Sequence, residues 1–156
     1  MGDGAERARL LEMRDGLGLD NVAMLGQQPR DRMPALWGAC DASLVLLKKD
    51  DLFKLVIPSK IFEAMAMERP IVLGVEGESR DIVEAGTCGI PIEPENAEEL
   101  AAAALRLADD RALLREMGAN GRRHVTENFD RVELAKRYLE VIQELVGSRR
   151  GATRAH

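Results

Sequence analysis

Val56-Ile57-Pro58-Ser59-Lys60-Ile61-Phe62-Glu63-Ala64-Met65-Ala66-Met67-Glu68-Arg69-Pro70, running straight into Ile71-Val72-Leu73, is the stretch that decides the fold. Pro58 imposes extended backbone just before Ser59, and Ser59 is a good N-cap residue. The spacing predicts a helix over residues 60–67. Ile71-Val72-Leu73 is then a continuous apolar run, as is Ser43-Leu44-Val45-Leu46-Leu47. Continuous rather than alternating runs suit strands of a parallel sheet covered on both faces.

Outward from this stretch the same alternation repeats. Strands are expected over residues 22–25, 42–47, 70–75 and 89–92, and helices over 5–16, 31–40, 60–67 and 78–84. In the second of these helices Met33, Leu36, Trp37 and Cys40 fall at i, i+3, i+4 and i+7, an apolar stripe that places Trp37 in the core. Strands alternating with helices of this length imply an α/β fold. After Ile92 only helices are expected. Asn96 with Glu99 reads as a capping box for a helix to about residue 108. Leu113, Leu114 and Met117 line a short helix that Gly118 is placed to end. Asp130 with Glu133 opens a long amphipathic helix bearing Leu134, Tyr138, Val141, Ile142 and Leu145. One domain over residues 1–147 is expected, with an Arg-rich, frayed tail over 148–156.

Composition narrows the function. The 156 residues are 46% hydrophobic and 31% charged, with a net charge of −5 and 3% aromatic residues. An acidic chain poor in aromatics argues against nucleic acid as a partner. Cys40 and Cys88 fit no metal-binding spacing and read as reduced thiols of a cytoplasmic protein. No apolar run approaches the roughly 18 residues of a membrane span. The Arg149-Arg150 tail could support at most peripheral contact with anionic lipid.

The chemistry concentrates where the fold was read. The first turn of a helix exposes unbonded N–H groups at the positive end of the helix dipole, a ready phosphate site. Lys60 adds a point charge there. Glu63, four residues beyond Ser59, projects on the same side, one turn further in. A carboxylate so placed can accept hydrogen bonds from both hydroxyls of a ribose. The arrangement suits a nucleoside diphosphate: helix end and Lys60 to the phosphates, Glu63 to the sugar diol. The same residues also fit ordinary punctuation before a surface helix, with Lys60 and Glu63 as an i,i+3 ion pair worth about 0.2–0.5 kcal/mol.

Several segments, taken in order, carry a resemblance. They are Gly2-Asp3-Gly4-x-Glu6, Leu19-Asp20-Asn21-Val22-x-x-Leu25-Gly26, Met33-Pro34-Ala35-Leu36 and Cys40-Asp41-Ala42. They continue with residues 58–66, Arg69-Pro70-Ile71-Val72, Glu84-Ala85-Gly86-x-x-Gly89 and Met117-Gly118-x-x-Gly121-Arg122-Arg123. Together they resemble the C-terminal half of the GT-B glycosyltransferases of family 4, or group 1, over about residues 2–146. The Pro-Ser-Lys-Ile-Phe-Glu form looks closest to enzymes that build bacterial surface polysaccharides from nucleotide-activated amino sugars.

The resemblance implies a Rossmann-like parallel sheet with helices on both faces, one half of a GT-B fold, followed by C-terminal helices. It implies retaining transfer of a sugar from a nucleotide donor to an acceptor hydroxyl, without a metal or cofactor, a UDP-sugar being the donor expected. Pro58, Ser59, Lys60 and Ile61 would then lie on the diphosphate, with Lys60 as the catalytic cation, and Glu63 on the ribose. Glu63 matches the second Glu of the family's Glu-x7-Glu motif, and Leu55 stands where the first is expected. The family's Arg/Lys pair would fall upstream of Met1, and the chain is expected to start after the first strand of its fold. An acceptor domain would be supplied in cis or in trans, for a saccharide or lipid-linked acceptor at the inner face of the membrane.

Weaker candidates flank this site. Gly26-Gln27-Gln28-Pro29 could lie under the base or be a polar turn. Glu78 and Ser79 open a helix whose N–H groups could face the donor, or belong to an ordinary loop. Lys48 and Lys49 read as solvated, and His124 as structural. A rival reading is a non-catalytic nucleotide-binding or interaction module that works through a partner chain.

Overall fold

The computed structural model describes residues 3–152, with side chains to residue 146. The chain expected as one domain over residues 1–147 divides into two compact units, Met1–Ala39 and Cys40–His156.

The first unit holds helix α1 (Arg7–Gly16), a 3-10 turn (Arg30–Arg32) and helix α2 (Met33–Gly38). Residues 22–25 do not form the expected strand. A strand exists only through a hydrogen-bonded neighbour, and the described residues of this unit contain no strand to pair with. The helix expected over 31–40 is shorter and begins in the 3-10 turn, so Cys40 falls beyond its end. Met33, Leu36 and Trp37 do form its less exposed stripe, but Trp37 is half-buried rather than core. Its indole Nε1 is shielded from solvent with no hydrogen-bond partner.

The second unit carries the sheet. Strands β1 (Ser43–Leu46), β2 (Ile71–Gly74) and β3 (Gly89–Pro91) are parallel in the order β1-β2-β3. Ser43 pairs with Ile71, and Ile71 in turn with Gly89. Helix α3 (Lys60–Ala66) joins β1 to β2, and α4 (Glu78–Ala85) joins β2 to β3. This is the expected α/β architecture. Ile71, Val72 and Leu73 are all at most 1% exposed. Successive strand residues face opposite sides, so β2 is covered on both. Val72 packs with Ala103, Leu107, Leu114 and Met117, which belong to helices α5 (Ala97–Asp109) and α6 (Arg111–Asn128).

Asn96 caps α5 by accepting from the N–H groups of Glu98 and Glu99 at 3.1 Å. The return half of the box differs: Glu99 accepts from the N–H of Glu93 and the side-chain amide of Asn96, both at 2.8 Å. Gly118 does not end a helix, because α6 passes straight through it to Asn128. A Cβ on Gly118 would lie 2.3 Å from the Glu68 carbonyl oxygen, and one on Gly121 would lie 3.2 Å from Cys88 Cβ. These glycines are notches for close packing. Asp130 accepts from the N–H groups of Val132 and Glu133, opening helix α7 (Arg131–Ala152). The backbone of residues 148–152 is thus helical where a tail was expected, and 153–156 lie outside the described residues. No described helix is long and apolar enough to cross a membrane.

Candidate functional site

Parallel strands carry their carboxyl ends to one edge of the sheet, and open α/β sheets bind ligands there. Two helices begin at that edge: α3 after β1, and α4 directly after β2. Between β1 and α3 lies a 3-10 turn (Asp51–Leu55), capped by Asp50, whose carboxylate accepts from the Leu52 N–H at 2.9 Å.

The start of α3 departs from expectation. Ser59 is already helical, with φ −56° and ψ −27°, and its hydroxyl makes no capping bond. The first turn is tightened instead: the N–H groups of Ile61 and Phe62 donate to the carbonyls of Pro58 and Ser59 at 3.0 and 3.1 Å. Pro58, which occupies the position before the helix, has no side-chain acceptor to offer. The N–H groups of Ser59 and Lys60 are left without a backbone acceptor and can meet an anion. Ile61 cannot, since its N–H is engaged and its side chain is 0% exposed.

Lys60 and Glu63 are both exposed, and the i,i+3 ion pair they could have formed is not made. Both charges remain open to solvent on the turn where a diphosphate and a ribose were expected. From below, α6 holds the helix. Arg122 donates to the Ala66 carbonyl at its C-terminal end, and Phe62 packs on Phe129 with ring centroids 4.9 Å apart. His124 joins that aromatic cluster against Phe129 at 5.6 Å, in the structural role its sequence context suggested.

At the head of α4, Glu78 is exposed but Ser79 is fully buried, and its hydroxyl donates to the Val56 carbonyl at 2.8 Å. The expected donor-facing role therefore does not extend to the Ser79 side chain, which is committed to the protein itself. Gly77 precedes it at φ +73°, and a Cβ there would lie 2.2 Å from the Lys54 carbonyl oxygen. Neither link was visible to sequence reasoning. The only signal was a glycine three residues past the end of β2, just before α4, where a left-handed backbone is needed.

Around this edge several other charges are paired. Lys54 bridges Asp51 at 2.8 Å and Glu76 at 3.4 Å, which holds the Asp51 carboxyl below the usual carboxylate range and the Lys54 ammonium above its own. Arg80 pairs with Glu84 at 2.8 Å, which raises its pKa, and Lys49 meets Glu93 at 3.5 Å. Lys48 stays exposed. Leu55 projects at 81% exposure from the end of the 3-10 turn. Gly26 belongs to the first unit, in a segment without regular structure where the Gln28 side-chain amide donates to its carbonyl at 3.3 Å. Among the described residues no group of three or more His, Cys, Asp and Glu is arranged to hold a metal ion.

Known proteins place this architecture. The chain is 32% identical over 150 residues to an exopolysaccharide phosphotransferase of Streptomyces coelicolor, covering 95% of this chain and 15% of the relative. It is 29% identical over 147 residues to the N-acetyl-alpha-D-glucosaminyl L-malate synthase of Bacillus anthracis, covering 94% and 37%. The chain thus spans well under half the length of either curated relative. HepE of Anabaena, solved in complex with UDP-glucose, superposes with a TM-score of 0.74 at 26% identity, over 92% of this chain and 39% of that one. The structural neighbours are GT-B glycosyltransferases. Residues 1–124 match the family model described as glycosyl transferases group 1, and the chain belongs to that family.

Proposed function

We propose that this chain is the nucleotide-sugar donor domain of a retaining glycosyltransferase. Lys60 and the N–H groups of Ser59 and Lys60 take the diphosphate, and Glu63 takes the ribose hydroxyls. The observation that carries the reading is that Lys60 and Glu63 are both exposed and not paired with each other at the start of α3. The UDP-glucose held by HepE, at 26% identity, supports a UDP-sugar as the donor. As the bond between sugar and diphosphate breaks, its electron pair stays with the phosphate. Preorganised positive charge at that oxygen stabilises the transition state. The nucleotide sugar is substrate in this reading, and no metal or cofactor is assigned. A second domain, in cis or in trans, would hold a saccharide or lipid-linked acceptor at the cytoplasmic face of the membrane, in polysaccharide or glycolipid assembly.

The test is a nucleotide panel by ligand-detected NMR, followed by calorimetry. UDP or GDP should bind, and Glu63→Ala should weaken that binding by roughly 1–3 kcal/mol, the order of a lost charged hydrogen bond. Unchanged affinity would sink the ribose assignment. One observation favours the rival reading, a non-catalytic module working through a partner chain. Leu55, at 81% exposure, stands where the family resemblance places a carboxylate, and it can accept no hydrogen bond from a sugar. If UDP-glucose and UDP-N-acetylglucosamine bind no better than UDP, that rival gains.

A further inference from the structure

Val56 and Lys60 are separated by only three residues, and the chain between them has little freedom. The peptide plane carrying the Val56 carbonyl also carries the Ile57 N–H, so fixing one fixes the other. Ile57 precedes a proline, which restricts it to extended backbone, and the proline ring sets φ at Pro58. Whatever orients the Val56 carbonyl therefore orients the entry to α3.

The Ser79 hydroxyl does so, donating to that carbonyl at 2.8 Å from a fully buried position 23 residues away. Two neighbours reinforce it. The backbone of Gly77 lies so close to the Lys54 carbonyl that a Cβ would come within 2.2 Å. The Lys54 ammonium reaches Glu76 at 3.4 Å. Residues 76, 77 and 79, at the head of α4, thus grip residues 54 and 56, which lead into α3.

We infer that Ser79 is a positioning residue for the donor site: through the Val56 carbonyl it sets the direction in which Ser59, Lys60 and Glu63 leave the sheet edge. The inference rests on the reading of residues 58–63 as the nucleotide contact, and it adds a residue that touches no part of the nucleotide. A purely structural hydroxyl would influence stability alone. A positioning hydroxyl acts on affinity through the groups it orients, so its effect shrinks when one of them, the Lys60 side chain, is absent.

The experiment uses the full 156-residue chain and UDP as probe, at a temperature well below unfolding. Ser79→Ala should weaken UDP binding by about five- to tenfold and speed amide exchange at Ile61 and Phe62, whose N–H groups close the first turn of α3. In a Lys60→Ala background the same change should cost at most about half that fold-loss. Ser79→Cys keeps the volume with a weaker donor, so it should fall between wild type and Ser79→Ala, and it serves if the alanine variant does not fold. Equal losses in both backgrounds, or unchanged UDP affinity in a folded variant, overturn the inference. If the wild-type chain binds no nucleotide, the donor reading fails by itself. Amide exchange then decides: faster exchange at Ile61 and Phe62 in Ser79→Ala upholds the control of the α3 entry, and unchanged exchange overturns it.

Discussion

Gly118 shows how much a residue's role depends on what stands opposite. Its backbone is helical, and its use is the missing side chain, since a Cβ would sit 2.3 Å from the Glu68 carbonyl oxygen. Gly118→Ala is expected to destabilise by about 1–3 kcal/mol or more, through forced displacement of α6. Gly16, at the end of α1, has nothing within 4 Å of its Cβ position, and Gly16→Ala should be neutral or stabilising by up to about 1 kcal/mol. Urea unfolding of both variants checks the contrast. Cys88 gives a second case. Burial pushes its thiol up to about 11 from an ordinary 9.0. The folded state therefore favours the neutral thiol. The associated stability is complete below pH 9 and is lost as pH rises from 9 towards 11. Cys88 should resist a thiol reagent at pH 8 until the chain is unfolded. At this scale the sequence marked the right residues but assigned Gly118 a helix end. Local pattern carries no information about a carbonyl fifty positions away.

Elements were more legible than residues where their signal is local. The continuous apolar runs at Ser43-Leu44-Val45-Leu46 and Ile71-Val72-Leu73 became parallel strands, and Asn96 became a cap. Asn96→Ala should cost about 1 kcal/mol, measurable as a lower urea midpoint with an unchanged slope. The misreadings share one physical cause. Residues 22–25 have strand composition, but pairing is made by a neighbour and not by composition. Ser59 has N-cap chemistry, but Pro58 lets the turn begin one residue earlier and the N–H groups of Ile61 and Phe62 close onto the backbone. The candidate site was legible as a segment, and its Lys60–Glu63 geometry follows from helical spacing. Its fixation by Ser79 was not, because that bond joins the first turn of α4 to the segment before α3, 23 residues apart.

For the molecule as a whole, the charge at the donor edge is modest. Lys49, Lys54 and Arg80 each face a carboxylate, which leaves Lys60, the exposed Lys48 and the peptide N–H groups of Ser59 and Lys60 as the positive field for a diphosphate. A protein of these 156 residues is expected to bind UDP weakly and to transfer no sugar from UDP-glucose. Turnover detected by release of UDP would contradict that. Raising salt should weaken the binding further, because the site is open to solvent.

The three-stranded order has one more consequence, for handling the protein. Among the described residues β1 and β3 each have a strand neighbour on one side only, and unpaired strand edges recruit strands from other molecules. Here β3 carries Pro91, which has no N–H to offer a newcomer, and β1 is four residues long and runs into Lys48-Lys49-Asp50-Asp51. Those lysines, tempting targets for probing the donor edge, also act as gatekeepers against aggregation. Replacing both with alanine would lower solubility along with charge, so a loss of apparent binding in that variant should be read against its light scattering.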